Sequence, residues 1–533
     1  MNHKLKSANK HLGRRDFMRM AGISAVSAAA AACAAPVAQQ KAAPAAGDAK
    51  APVVIAGKPF AGQTVSVTVN TGGEKGPISG PLYEHRAEWE DMTGAQLKIV
   101  EIPFDNHYTK FVTDAQTGAG QYDISMAGAW WLGDFIAGDF IIPYDQYYGD
   151  KRFPEWKWEE VLPALQGLYS WGGKKYMVPN DGDGQVFYYR RDAFANPENK
   201  GKFMEKYKYE LPAPPTTMKQ MRDCAEFFNN WDWNGDGQPD SGISMHLKVG
   251  GQGMFHFMTL SAPYLISSDS KLYWFDPESM EPLITSDGHK AALDALIELV
   301  GFGPKASLGW SLGEAWDYFL KGKAAMAFSW GDLGALAQEK DKSKVQGMTA
   351  SAPMPGTNEY YNIGKKAQVK TDKPNKVGNT TGGSWSGVIS KASKAPEAAF
   401  HLLSYHASKP LSRIYAMRGW DGVDPGRTFH FPPPLGDAKL EDYVTTGGWD
   451  KNDITDYLAA YADSFSNPVQ FPYLRIPGTF EYWVALDKEL SEAVTGSKTA
   501  AAALADAAKT FNDITDRLGR DKQKELYKSS LGL

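Results

Sequence analysis

The chain has 533 residues, 43% hydrophobic and 22% charged, a globular composition and more chain than one core needs, so two lobes or domains are expected. A net charge of -5 and a pI near 6.1 leave no basic footprint and speak against a nucleic-acid partner. Two cysteines, Cys33 and Cys224, allow neither a disulfide framework nor a cysteine-based zinc site.

The opening stretch "GRRDFMRMAGISAVSAAAAACAAP" sets Arg14 and Arg15 ahead of Phe17 and an Ala-rich run, the pattern of a twin-arginine export signal. The run is too short and too weak in Leu and Ile for a membrane span. Cys33 stands where it stops, the place of a lipid-modified cysteine; simple cleavage at an Ala-x-Ala site is the alternative. Residues 1–33 are read as the signal and 34–60 as an Ala/Pro tether. The mature protein is expected outside the cytoplasm, in the periplasm or at the cell surface, touching the membrane only through the lipid.

From Gln63 strands and helices alternate. "TVSVTVN" puts Val65, Val67 and Val69 on one face of a strand. "PLYEHRAEWEDMTG" reads as a helix closed by Gly94. Strand "AQLKIVEIP", helix "YTKFVTDAQTGAG", strand "YDISMAG" and helix-like "WWLGDFIAGDF" follow. This β-α-β order predicts a mostly parallel sheet with helices on both faces. After Pro179 come "GQVFYYRRDAF", a helix capped at Thr216 or Thr217 with Cys224 on its buried side, and strand "SGISMHL". Helix "HKAALDALIELVGFG", a helix feeding "AAMAFSW", the pair "GGSWSGVIS" and "KAPEAAFHLLSYHAS", and a final Ala-rich helix complete the pattern. "PNDGDG" at 179–184 and "TGGSWSG" at 381–387 combine glycine freedom with short polar residues and are read as hinges. "WDWNGDGQPDSG" spaces Asp232, Asn234, Asp236, Gln238 and Asp240 like the start of a calcium loop. Its twelfth position is Ile243, so it is no EF-hand sensor. A structural calcium is expected there; the alternative is a turn in which Asp and Asn bond backbone amides.

In this order the segments "YDISMAGAWWLGDFIAGDFIIPYDQY", "KKYMVPNDGDGQVFYYRRDAF", "FLKGKAAMAFSW" and "GVISKASKAPEAAFHLLSYHAS" resemble the extracellular solute-binding proteins of ABC importers, family 1, the branch that includes maltose-binding protein. The resemblance implies an α/β, two-lobed periplasmic-binding-protein fold that closes on a ligand without chemistry, acting as a monomer with permease subunits as partners. It implies a carbohydrate ligand, an oligosaccharide or glycoside, with Trp130 or Trp131, Trp330 and Trp483 stacking on it and Asp183 bonding it. Trp385 is added for its place beside the second hinge. The boundaries expected are 61–180 for the first lobe, 181–380 for the second, 381–465 for the return to the first with a long insertion, and 466–533 completing the second. In that insertion Asp424 and Arg427 are within reach of a cleft, and an Arg fork would suit an acidic sugar. A non-sugar solute and an exported glycoside hydrolase are the alternatives. "GWSLG" at 309–313 matches the nucleophile-elbow pattern, but no strand precedes it, and Ser311 with Glu314 forms a capping box instead. No enzyme activity and no required cofactor are expected.

Overall fold

Alternating valines in "TVSVTVN" form β1 (Thr64–Asn70), which buries Val65, Val67 and Val69 completely. The computed structural model describes residues 57–250, 252–378, 384–420 and 422–533. Arg14, Arg15 and Cys33 lie outside the described residues.

Strand β1 pairs in parallel with β2 (Gln96–Ile102) and β3 (Ile124–Ala127). The short β4 (Ile141–Ile142) ends the sheet, and β5 (Ser170–Trp171) and β6 (Lys174–Lys175) make a small hairpin before the first crossing. The second lobe is built on β7 (Gln185–Arg190), β8 (Ser241–Ser244), β9 (Ala324–Trp330) and β10 (Thr349–Ala352), with an outlying hairpin of β11 (Thr357–Asn362) and β12 (Ala367–Asn375). The chain then returns as β13 (Ser386–Ser390). The first sheet has the order β2-β1-β3-β13-β4 and the second β10-β7-β9-β8. As expected, the first sheet is mostly parallel; β13, arriving from the other lobe, runs antiparallel to β3 and β4.

Helix Met218–Phe227 is capped by Thr217, whose hydroxyl accepts from the Gln220 amide, and Cys224 is fully buried on it. The stretch 81–94 is not one helix: it breaks at His85 into Ser79–Glu84 and Arg86–Thr93. The insertion is not irregular either. It contains helices Leu440–Gly447 and Lys451–Ser466. The second of these corrects the expected boundary, because it lies on β10 and β7 of the second lobe. Its apolar stripe of Ile454, Tyr457, Leu458, Tyr461 and Phe465 is buried there, and Arg191 pairs with Asp453 and Asp456 at 2.7 Å each. Helices Thr479–Val494 and Ala500–Leu518 pack on the second-lobe helix Asp287–Val300.

Three crossings join the lobes; their described residues are 178–185, 378 with 384–386, and 418–420 with 422–428. They are tied to one another. Val178 and Gly387 exchange backbone hydrogen bonds of 2.8 and 3.2 Å, and the Gly182 amide donates to the Asp424 carbonyl at 3.1 Å. The Asp181 carboxylate accepts from the amides of Asp424 (2.9 Å) and Trp385 (3.2 Å), one from each of the other crossings. Gly182 meets Gly426 so closely that a Cβ there would stand 2.4 Å from the Gly426 Cα. Gly182→Ala is therefore expected to cost about 1–3 kcal/mol of folding stability. Gly167→Ala, in a helix with open space around it, is expected to hold stability. Urea unfolding of both variants checks this, and an unperturbed Gly182→Ala would show the crossings to be loosely packed.

Candidate functional site

The carboxyl ends of β1, β3 and β9 face the crossings, where an open α/β sheet presents its ligand crevice. A cavity of about 220 Å³ lies there. The first lobe contributes Asn70 and Thr71 at the end of β1, Phe104, Trp130 just after β3, and Trp385 just before β13. The second lobe contributes Gln252, Phe255, Trp316, Trp330 at the end of β9, and Asp332. Asp181 and Asp183 of the first crossing line the same space. A larger groove of about 520 Å³, around Tyr148, Phe153 and Trp156, belongs to the first lobe alone and lies away from the crossings.

The walls are held from behind. The His246 ring stacks on Trp330 at 5.6 Å and bonds His256 at 2.9 Å. Burial favours the neutral form of both imidazoles: His246 is pushed down to about 4, and His256 is pushed well below the usual histidine range by burial and by the neighbouring His246. The Trp316 indole N–H donates to Ser329 at 2.7 Å. Trp130 stands edge-on to Trp385 at 5.4 Å and near Trp483 at 5.7 Å. Ile78, Gln252 and Ser384 around the cleft have positive φ (63°, 70° and 37°), a concentration of strain typical of functional sites.

The floor is acidic. Oxygens of Asp183, Asp332 and Asp424 come within 4.8 Å of one another, with Asp181 beside them. All four carboxyls are pushed up, first by burial and, for Asp181, Asp183 and Asp332, next by a neighbouring carboxylate. Asp424 reaches only about 6, because burial is offset by the Tyr461 and Tyr457 hydroxyls that donate to it at 2.8 and 3.0 Å.

The structure brings Trp130, Trp330, Trp385 and Asp183 together around the cavity. It places the other expected ligand residues elsewhere. Trp483 is completely buried behind Trp130 and Phe255, because its helix turns that face into the core. Trp131 packs inward on His107, Tyr108 and Phe135. Asp424 sits behind the floor, occupied by its two tyrosines. Arg427, 2% exposed, turns away from the cleft to the carbonyls of Ala407 and Lys157 and to Glu160, over the rings of Trp156 and Phe429. The acidic-sugar alternative loses the residue that suggested it. Sequence reasoning missed Asp181, Asp332, Phe255, Trp316 and Gln252. Asp332 had a signal in its place two residues beyond Trp330, where the short helix Asp332–Leu336 begins.

The acidic loop joins helix Met218–Phe227 to β8, far along the sheet from the crossings. Asp232, Asp236 and Asp240 bring oxygens within 4.8 Å of one another. Asn234 and Asp232 accept from backbone amides of the loop, and Gln238 is exposed. Lys323 reaches in to Asp236 at 2.5 Å and Asp240 at 3.3 Å. This resident ammonium, not foreseen from the sequence, offsets the repulsion among these carboxylates. Ser311 opens helix Leu312–Leu320 and its amide donates to Glu314 at 3.0 Å, so "GWSLG" is a helix cap and no nucleophile elbow.

The model of the family described as bacterial extracellular solute-binding protein matches residues 80–410. The chain belongs to this family. A mannitol-binding protein of Pseudomonas aeruginosa is 25% identical over 333 residues, 62% of this chain and 66% of that protein's length. The chain thus spans just under two thirds of that relative. Among solved structures, an ABC transporter solute-binding protein of Agrobacterium radiobacter K84 in complex with ribitol superposes with a TM-score of 0.66 at 20% identity, covering 86% of this chain and 100% of its own. One from Agrobacterium vitis S4 with bound D-mannitol gives 0.61 at 21% identity, covering 86% and 99%. These likenesses show the two-lobed periplasmic-binding-protein fold, and the family places the protein outside the cytoplasm. Among the described residues no helix is long and apolar enough to cross a membrane.

The wall and its backing separate by mutation. Trp385→Ala and Trp316→Ala, both partly exposed in the cavity, are expected to weaken solute binding by about 1–3 kcal/mol with little change in melting. Trp483→Ala is expected to cost about 3–5 kcal/mol of stability instead. Calorimetric titration and thermal melting of the three variants check this; the reverse pattern would move the site.

Proposed function

We propose that the protein is the receptor of an ABC importer for a compact polyhydroxylated solute, a monosaccharide or linear polyol. It works by closing its lobes on the solute, without chemistry. The observation that carries this is the cavity at the crossings. Tryptophan planes from both lobes flank it, suited to the apolar faces of a sugar chain or ring. Asp183, Asp332, Asn70 and Gln252 offer acceptors and donors to hydroxyls. Its volume of about 220 Å³ is below the roughly 300–1,000 Å³ of sites for drug-sized ligands, which favours one sugar unit over the oligosaccharide or glycoside expected from the sequence. The mannitol and ribitol bound by relatives fit this size.

A thermal-shift panel of D-mannitol, ribitol, hexoses and maltooligosaccharides tests it. A small polyol or monosaccharide is expected to raise the melting temperature, since it binds only the folded state. No shift with any of them would overturn the reading, and new reducing ends from the oligosaccharides would mark a hydrolase.

Two features outside the cleft complete the proposal. Residues 1–33 export the chain by the twin-arginine route and Cys33 carries the lipid anchor of a monomeric receptor. Cys33→Ala is expected to move the protein from the membrane to the soluble fraction. Calcium at the loop of Asp232, Asp236 and Asp240 acts as a fastener in competition with Lys323. Lys323→Met is expected to gain more melting temperature from calcium than the unaltered protein does; equal responses would leave the loop a plain turn.

A further inference from the structure

We infer that the cleft selects solutes carrying a protonated amine beside their hydroxyls, an amino sugar or amino polyol, whose ammonium group is received by Asp183 and Asp332 between the tryptophan walls. The inference rests on the reading of the cleft as a polyhydroxy-solute site and names the charge of that solute.

Its basis is an unbalanced charge. Of the four carboxylates at the floor, two are answered within the protein. Asp181 accepts two backbone amides and Asp424 two tyrosine hydroxyls. Asp183 is not: its Oδ2 accepts the Ser384 amide at 3.3 Å, while Oδ1 is buried with no hydrogen-bond partner, in a residue only 6% exposed. A buried carboxylate oxygen without a donor is costly, and this one belongs to a residue lining the cavity. Asp332, partly exposed, lies across the same space.

Among the described residues, none lining the cavity is Lys, Arg or His. Positions 251, 379–383 and 421, adjacent in sequence to lining or hinge residues, are Gly, Asn, Thr and Asp. Lys75 and Lys342 line an adjoining groove at Trp420. The Trp130 indole N–H is also buried and unpartnered beside the cavity, a donor for a solute hydroxyl.

The walls choose among cations. Trp130, Trp316, Trp330, Trp385, Phe104 and Phe255 surround the space, and aromatic faces attract an organic ammonium. A calcium ion takes about six to eight oxygens, and here the third carboxylate, Asp424, already accepts from two tyrosines. Burial and mutual repulsion raise these carboxyls in the empty cleft, and an ammonium bound between them would restore the charged form.

Calorimetric titration of the purified protein at pH 7 tests this with matched probes: 1-amino-1-deoxy-D-sorbitol against D-sorbitol, D-glucosamine against N-acetyl-D-glucosamine and D-glucuronate, and calcium chloride alone. In at least one pair the amine is expected to bind about tenfold or more tightly than its neutral counterpart, and Asp183→Asn to erase most of that preference. D-glucuronate is expected to bind most weakly. Equal or tighter binding of the neutral members overturns the inference and leaves the polyhydroxy reading standing. Binding of none of the organic probes overturns the inference, and the polyhydroxy reading falls with it only where the thermal-shift panel is also silent. Calcium binding lost in Asp183→Asn, without any amine preference, overturns the inference and assigns the floor to a metal.

Discussion

One buried carboxylate organises the junction on which the site depends. Asp181 lies in the first crossing and accepts a backbone amide from each of the other two. Three strands of chain that must pass between lobes are thereby held in one bundle, close enough for Gly182 and Gly426 to touch backbone to backbone. The carboxyl ends of β1, β3 and β9 are aimed at this bundle, so the residues that leave those strands converge on one space. The junction is costly, since it buries Asp181, Asp183 and Asp424, and among the described residues no basic one lines the adjoining cavity. It persists because backbone amides and tyrosine hydroxyls satisfy the groups that face inward.

In the proposed receptor the same arrangement would favour the solute-bound, closed state. Oxygens of Asp183, at the crossing, and of Asp332, two residues beyond the last strand residue of the second lobe, come within 4.8 Å of one another, so an ionised pair would repel across the cleft. A solute that donates to both removes that repulsion and adds contacts to tryptophans of both lobes. Differential binding to the closed arrangement is what a receptor of this family needs, and no group positioned for bond making is required. The aromatic walls are stiff because several of their rings are held from behind. Trp483 behind Trp130 and the His246–His256 pair behind Trp330 hold the planes in place, which lowers the entropy lost on binding.

The alternation of Val65, Val67 and Val69, a helix cap at Thr216 or Thr217 and a change of lobe at 179–184 were legible because each rests on local periodicity or turn chemistry. The helix Met254–Leu265 was not, being buried all round and without a polar stripe. The helix Lys451–Ser466 does carry a readable stripe from Ile454 to Phe465, but the polar turns before it hid the change of period. At the site, Trp330 and Trp385 were visible from their places beside a strand end and a hinge. Trp483 and Arg427 were misplaced because sequence position does not say which face of an element meets the core. The unbalanced acidic floor was invisible: Asp181, Asp183, Asp332 and Asp424 come from three distant segments, and only folding makes them neighbours.

The most direct test of this account is a crystal structure of the protein with the solute of highest affinity. The account predicts that solute between Trp130 and Trp385 of the first lobe and Trp316 and Trp330 of the second, with Asp183 Oδ1 accepting one of its hydrogens. A solute seated away from the crossings, as in the groove by Tyr148 and Trp156, or an Asp183 without contact to it, would contradict the account.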